Sequence, residues 1–238
     1  YHHSVAQTAM PYFINRSDLE VRWHDCRYSL VIPKGGQFIF AHPDIEPLAD
    51  FLGRYLKKPW LTGAQPIAGL DGVLQVDARA ALAEQQLQWN QLAVAWPPEA
   101  LVTTTATLPI DFDHAVNLIG YKITPQLVKP GQNVAVITYW RVTGALANDL
   151  TLFTQLYRTP TEVLAQQDGL DVAPDSLRPD DVFIQQHEFI TVPPGTMPGQ
   201  YWIGAGLYHK DTGQRLPIYL GDQRAADRIF LAQVQVKP

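Results

Sequence analysis

A chain of 238 residues, 46% hydrophobic and 17% charged, is long enough for one large or two small cored domains and has the composition of a folded soluble protein. Its formal net charge of −5, with no cluster of Lys and Arg, excludes nucleic acid as a main partner, because phosphate neutralisation needs concentrated cations. The single cysteine, Cys26, excludes an intramolecular disulfide without assigning a compartment.

No apolar run approaches the roughly 20 residues that span a bilayer, and no signal peptide is visible. The chain opens on Tyr1 rather than Met, so the expectation is a fragment or a processed product.

Residues 1–17 are polar and irregular. Leu19 to Trp23 and Arg27 to Ile32 read as strands, and Pro33-Lys34-Gly35-Gly36 as a turn into a third strand, Gln37–Ala41, which predicts a hairpin. Asp44 is a good N-cap for a segment with Ile45, Leu48, Phe51, Leu52, Tyr55 and Leu56 at helical spacing, stopped by Pro59. Gly72–Asp77 reads as another strand and Ala78–Leu92 as helix-favouring. This order predicts a small α/β domain over residues 1–96. Residues 97–107 carry little periodicity and read as a linker.

From residue 108 to 238 the pattern changes to short strands of period 2 cut by Pro-Gly turns. Strands are predicted near 116–123, 133–142, 150–157, 162–167, 182–191, 200–208 and 228–236. Val134, Val136, Thr138 and Trp140 share one face of one strand, and Tyr201, Ile203, Ala205 and Leu207 one face of another. Lys129-Pro130-Gly131, Pro193-Pro194-Gly195 and Asp211-Thr212-Gly213 supply turns. The expected fold class is therefore a small α/β domain followed by an all-β, immunoglobulin-like sandwich.

Several stretches carry a likeness. Val21-Arg22-Trp23-His24-Asp25, then Arg27 and the strand into Gly35-Gly36, open the pattern. Asn117 to Tyr121, Val128 to Gly131, Tyr139-Trp140 and Leu152 to Leu156 continue it. Arg178-Pro179-Asp180-Asp181, Pro198-Gly199-Gln200-Tyr201, Gly206-Leu207-Tyr208 and Thr212 to Leu216 complete it. In this order they resemble the soluble C-terminal region of bacterial membrane glycosyltransferases. These are polyprenyl-phosphate-sugar-dependent, mannosyltransferase-like proteins of the glycosyltransferase family 39 type. In that family Arg-Pro-Gly-Glu commonly stands where this chain has residues 178–181.

The resemblance covers about three quarters of the chain, and its separate motifs are turn and strand signatures. It implies a non-catalytic region on the extracytoplasmic side of the bacterial membrane. The implied partners are the membrane portion of the same parent protein and acceptor glycan. It assigns this chain no catalytic residue, metal or cofactor, because the transferase chemistry of such proteins lies in their membrane portion.

Residue chemistry adds candidates, each with a plainer alternative. Asp111-Phe112-Asp113 has the spacing of a cation-holding D-x-D pair, but it stands at the mouth of the sandwich rather than at a strand end of a nucleotide-binding fold; it reads as a polar entry loop, His114 included. His24 and Cys26 share a strand face but lack further spaced zinc ligands. Asp168, Asp171, Asp175, Asp180 and Asp181 make an acidic loop whose spacing is not that of a regular calcium loop; a solvated loop and a calcium site both stay open. Glu20, Glu46 and Glu188 could serve a glycosidase only if the fold united two of them. No nucleophile elbow, phosphate loop or H-E-x-x-H occurs.

Aromatics give the one binding expectation. Trp202 and Tyr208 lie on the opposite parity from the core set of their strand, and Tyr139 is out of phase with Trp140. If solvated, these rings form a platform for sugar faces; otherwise they pack against other parts of the protein. Three functions follow: an accessory region of a membrane glycosyltransferase, an independent carbohydrate-binding or adhesion module, or a soluble hydrolase or transferase.

Overall fold

The structure is a computed structural model that describes residues 22, 24, 25, 27–41, 64–69, 73–80, 83, 93–95 and 105–238. The described part is nearly all β and forms a two-sheet sandwich. Seven strands carry it: β8 (Val116–Thr124), β10 (Asn133–Val142), β11 (Leu150–Thr159), β12 (Glu162–Asp168), β13 (Val182–Thr191), β14 (Gly199–His209) and β17 (Ile229–Val236). They match the seven strands expected from period 2 to within a few residues.

Ten shorter strands complete the sheets. They are β1 (Ser29–Ile32), β2 (Gln37–Ala41), β3 (Ala64–Pro66), β4 (Val73–Asp77), β5 (Ala93–Ala95), β6 (Thr105–Thr107), β7 (Ile110–Phe112), β9 (Leu127–Val128), β15 (Ile218–Leu220) and β16 (Gln223–Ala226). The first sheet runs β1-β13-β10-β8-β7-β15-β16 and the second β12-β11-β14-β17-β5-β6, with β9 parallel to β17. Consecutive long strands cross between sheets, β10 to β11, β12 to β13 and β13 to β14, which is immunoglobulin-type connectivity.

The inward parity is the one read from sequence: Val134, Val136, Trp140, Tyr201, Ile203 and Leu207 all belong to the buried core. Trp140 anchors it, edge-on to Phe112 at 5.1 Å and stacked on Phe183 at 6.1 Å. Where β13 turns into β14, the Tyr201 hydroxyl donates to the Met197 carbonyl oxygen at 2.8 Å. A tyrosine at the start of this strand, bonded a few residues upstream, is the corner tie of immunoglobulin-like sandwiches.

The N-terminal part departs from expectation in two ways. The hairpin across Pro33–Gly36 is not made: β1 pairs with β13, while β2 pairs with β4. Leu30 and Ile32 lie on one face of β1 and Val31 on the other, and all are buried. A strand buried on both faces is covered on both sides of its sheet, here at the β1 edge of the first sheet. Gly35 and Gly36, at φ 85 and 73, then turn the chain away. The Gly36 carbonyl accepts from Ala78 N at 2.7 Å.

The expected α/β domain over 1–96 is accordingly not seen as such among the described residues. What is described is a three-stranded sheet, β2-β4-β3, followed by helical residues Arg79, Ala80 and Ala83. The helix expected over 45–56 and the strand over 19–23, Arg22 apart, lie outside the described residues. Hydrogen bonding also crosses the expected linker, since β6 lies within 97–107 and pairs with β5, which joins the second sheet through β17.

Candidate functional site

Several acidic, basic and histidine side chains of the sandwich are spent on one another. Asp181, wholly buried, takes an ion pair from Arg22 and accepts from Lys34 N at 3.0 Å and Arg178 N at 2.7 Å. Its neighbour Asp180 pairs with Lys34 at 2.9 Å, which lowers the Asp180 carboxyl below its ordinary range. The stretch Arg178-Pro179-Asp180-Asp181 thus clasps the N-terminal segment onto the first sheet.

The other acidic-loop residues are distributed as well. Asp171 accepts from Gln185 Nε2 at 2.5 Å, and burial pushes its carboxyl up. Asp168 accepts from the Tyr208 hydroxyl at 2.9 Å. Among the described residues no group of three or more His, Cys, Asp and Glu could hold a metal ion. Cys26 lies outside the described residues.

In the D-x-D stretch, Asp111 accepts from His114 N at 2.9 Å and from its ring Nδ1 at 2.6 Å, and that ring stacks on Tyr219 at 4.3 Å. Asp113 and His114 both hold φ 54 in the tight turn between β7 and β8. Asp111 is therefore a turn-forming carboxylate. Near β1, Ser29 Oγ lies 3.3 Å from His24 Nδ1 but also 3.0 Å from the carbonyl oxygens of Asp25 and Asp171. Ser29 is fully buried, so this pair ties strands together and offers no nucleophile.

His187 stands in the interior. Its Nε2–H donates to the Gly169 carbonyl at 3.1 Å and its Nδ1 accepts from Thr154 Oγ1 at 2.8 Å. Burial lowers its pKa to about 4, so the ring is neutral near pH 7.

The expected aromatic platform divides. Tyr139 is fully buried on the outer side of the first sheet, beneath Lys122, and burial drives its hydroxyl pKa far up. It presents no ring to solvent and is corrected out of the platform. Trp202 and Tyr208 are half-buried and share the outer face of the second sheet, as their parity required.

Between them Gly204 and Gly206 leave β14 bare on that face, and the rings of Tyr157 and Phe153 lie across the gaps. Arg215 covers Phe153, 4.5 Å from its ring centroid, and Arg228 covers Tyr157 and Phe230, each at 5.9 Å. Both arginines pair with Asp227, at 3.6 and 3.1 Å. The middle of the face is therefore a closed aromatic and ionic layer, and Trp202 and Tyr208 stand at its two ends.

Sequence reasoning missed this layer, although glycine at alternate outer positions of a strand marks a close approach. It also missed Gln200 and Gln233. Both are exposed beside Trp202: Gln233 is its direct partner on β17, and Gln200 precedes it by two on β14.

No family model and no curated protein matches the chain. Among solved structures, 55% of it is similar to 97% of the CARDB domain of a Pyrococcus furiosus protein, solved in complex with di-metal ions, at 15% identity and a TM-score of 0.30. Among the described residues no helix is long and apolar enough to cross a membrane.

Proposed function

We propose that this chain is a non-catalytic accessory module on the extracytoplasmic side of a bacterial membrane glycosyltransferase. It acts by contact, with the membrane portion of its parent protein and with acceptor glycan. In this reading a small α/β unit, built around β2, β4 and β3 and the helical residues from Arg79, precedes the sandwich.

The observation that carries the proposal is the clasp at Asp181. The residues that stand where the family has Arg-Pro-Gly-Glu hold the N-terminal segment to the first sheet through Arg22 and Lys34. The motif thus has a structural use in the fold that the resemblance implies, and that use needs no catalysis. Half-exposed Trp202 and Tyr208 on one sheet face favour a second reading, an independent carbohydrate-binding module.

Protease treatment of intact spheroplasts from the source bacterium tests the first reading. The region should be digested from outside, and in untreated cells it should stay in the membrane pellet through a high-salt wash. Recovery from the soluble cytosol, protected from protease, would overturn it.

A further inference from the structure

We infer that the Trp202 end of the second sheet's outer face is a binding strip for an uncharged glycan. The inference rests on reading the chain as a contact module, but not on its attachment to a membrane protein.

Strand pairing builds the strip. Val163, Tyr157, Trp202 and Gln233 are successive cross-strand partners on β12, β11, β14 and β17, but Tyr157 is buried beneath Arg228, so the open part of this row is Trp202 and Gln233. Partners on adjacent strands point the same way at about 4.8 Å spacing, which sets the Trp202 ring and the Gln233 amide side by side. Gln200 and Gln235 form the next row. Phe230 meets the Trp202 ring edge-on at 5.9 Å and 76°, which fixes the indole while leaving it half-exposed.

The chemistry selects the ligand. A pyranose presents C–H faces, which suit a fixed ring, and hydroxyls at its rim, which suit groups that both donate and accept. Gln200 and Gln233 are such groups. Neither amide, nor the Trp202 indole N–H, makes a hydrogen bond among the described residues.

The arginines beside the strip are paired, while the exposed Lys237 lies two residues past Gln235, so an anionic polysaccharide is the needed comparison. Arg158 and Glu162, at the β11–β12 turn, pair with each other at 3.7 Å, and Arg215 and Arg228 share Asp227. An apolar protein partner is disfavoured for a different reason: the exposed apolar groups Val163 and Leu127 are kept apart by ring and amide rather than joined into a patch.

Affinity electrophoresis of the purified chain is the test, in native gels holding soluble β-glucan, galactomannan or dextran, with polygalacturonate as the anionic comparison. The expected result is retardation by at least one neutral polysaccharide. Apparent Kd should rise about tenfold or more in Trp202→Ala and less in Gln233→Ala, with Leu220→Ala unchanged. Thermal melts check folding, and a Gln200→Ala/Gln233→Ala double variant carries the test if Trp202→Ala does not fold.

No retardation by any neutral polysaccharide overturns the inference. So does retardation untouched by these variants, retardation by polygalacturonate alone, or self-association that depends on Trp202. Each of these leaves the membrane reading standing, and a cytosolic location would leave the strip standing.

Discussion

Phe153 lies directly across Gly206: a Cβ placed on that glycine would come within 2.5 Å of the ring Cζ. The contact repeats one step along β14, where a Cβ on Gly204 would come within 2.7 Å of Tyr157 Cε2. Both rings are held from above by Arg215 and Arg228, so neither can simply swing away. Gly206→Ala and Gly204→Ala should each destabilise by about 1–3 kcal/mol, the usual cost of overpacking. Urea denaturation measures it; unchanged midpoints would mean that the layer is loose.

Asp181 supplies a second prediction. Removing one member of a buried ion pair leaves the other uncompensated and costs about 3–5 kcal/mol. Here Asp181→Ala also strips an acceptor from the Lys34 and Arg178 backbone N–H groups. The expected loss is about 3 kcal/mol. Asp181→Asn should lose less, because its amide oxygen still accepts. A double-mutant cycle with Arg22→Met should show a coupling above about 1 kcal/mol.

His187 sets a pH dependence. Its folded pKa, near 4, lies below the ordinary value of 6.5 because burial disfavours the charged ring. The unfolded chain therefore binds a proton that the folded chain refuses. Stability is full above pH 6.5, falls as pH drops toward 4, and from this group falls no further below that. The total is on the order of 3 kcal/mol. Asp171, raised by burial, works in the opposite direction and offsets part of the loss near its own titration. His187→Gln should flatten the slope between pH 6.5 and 4 in denaturation midpoints measured across pH. An unchanged slope would place the sensitivity elsewhere.

Leu30 tests whether β1 belongs to the sandwich. It is wholly buried opposite Ile184 on β13. Leu30→Ala should cost about 2–5 kcal/mol and lower hydrogen-exchange protection along β13. A loss confined to residues before 42, with β13 untouched, would mean that β1 folds apart from the sheet.

The long strands were legible because alternation over seven or more residues with Pro-Gly ends has few other readings. Val134 to Val142 and Tyr201 to Leu207 show it directly. Strands of two to four residues, such as β5, β9 and β15, carry too few positions for a period. The allegiance of β1 was hidden because Leu30, Val31 and Ile32 give a continuous apolar run, which says that both faces are buried but not by which sheet. Parity placed Trp202, Tyr208 and Tyr139 on outer faces correctly. It could not say that Tyr139 is buried there, beneath Lys122 of the neighbouring strand, because period 2 gives a residue's face but not what lies on that face. The amides beside Trp202 were illegible for a related reason: Gln233 joins it only through the β14–β17 register.

Whether this sandwich serves a membrane glycosyltransferase, as proposed, is read straight from the complete coding sequence of its gene. About eight or more apolar spans of roughly 20 residues each are expected upstream of Tyr1, with acidic residues in the first outward loop. A start codon just before Tyr1, or a signal peptide alone, would contradict it and leave a free-standing glycan-binding protein.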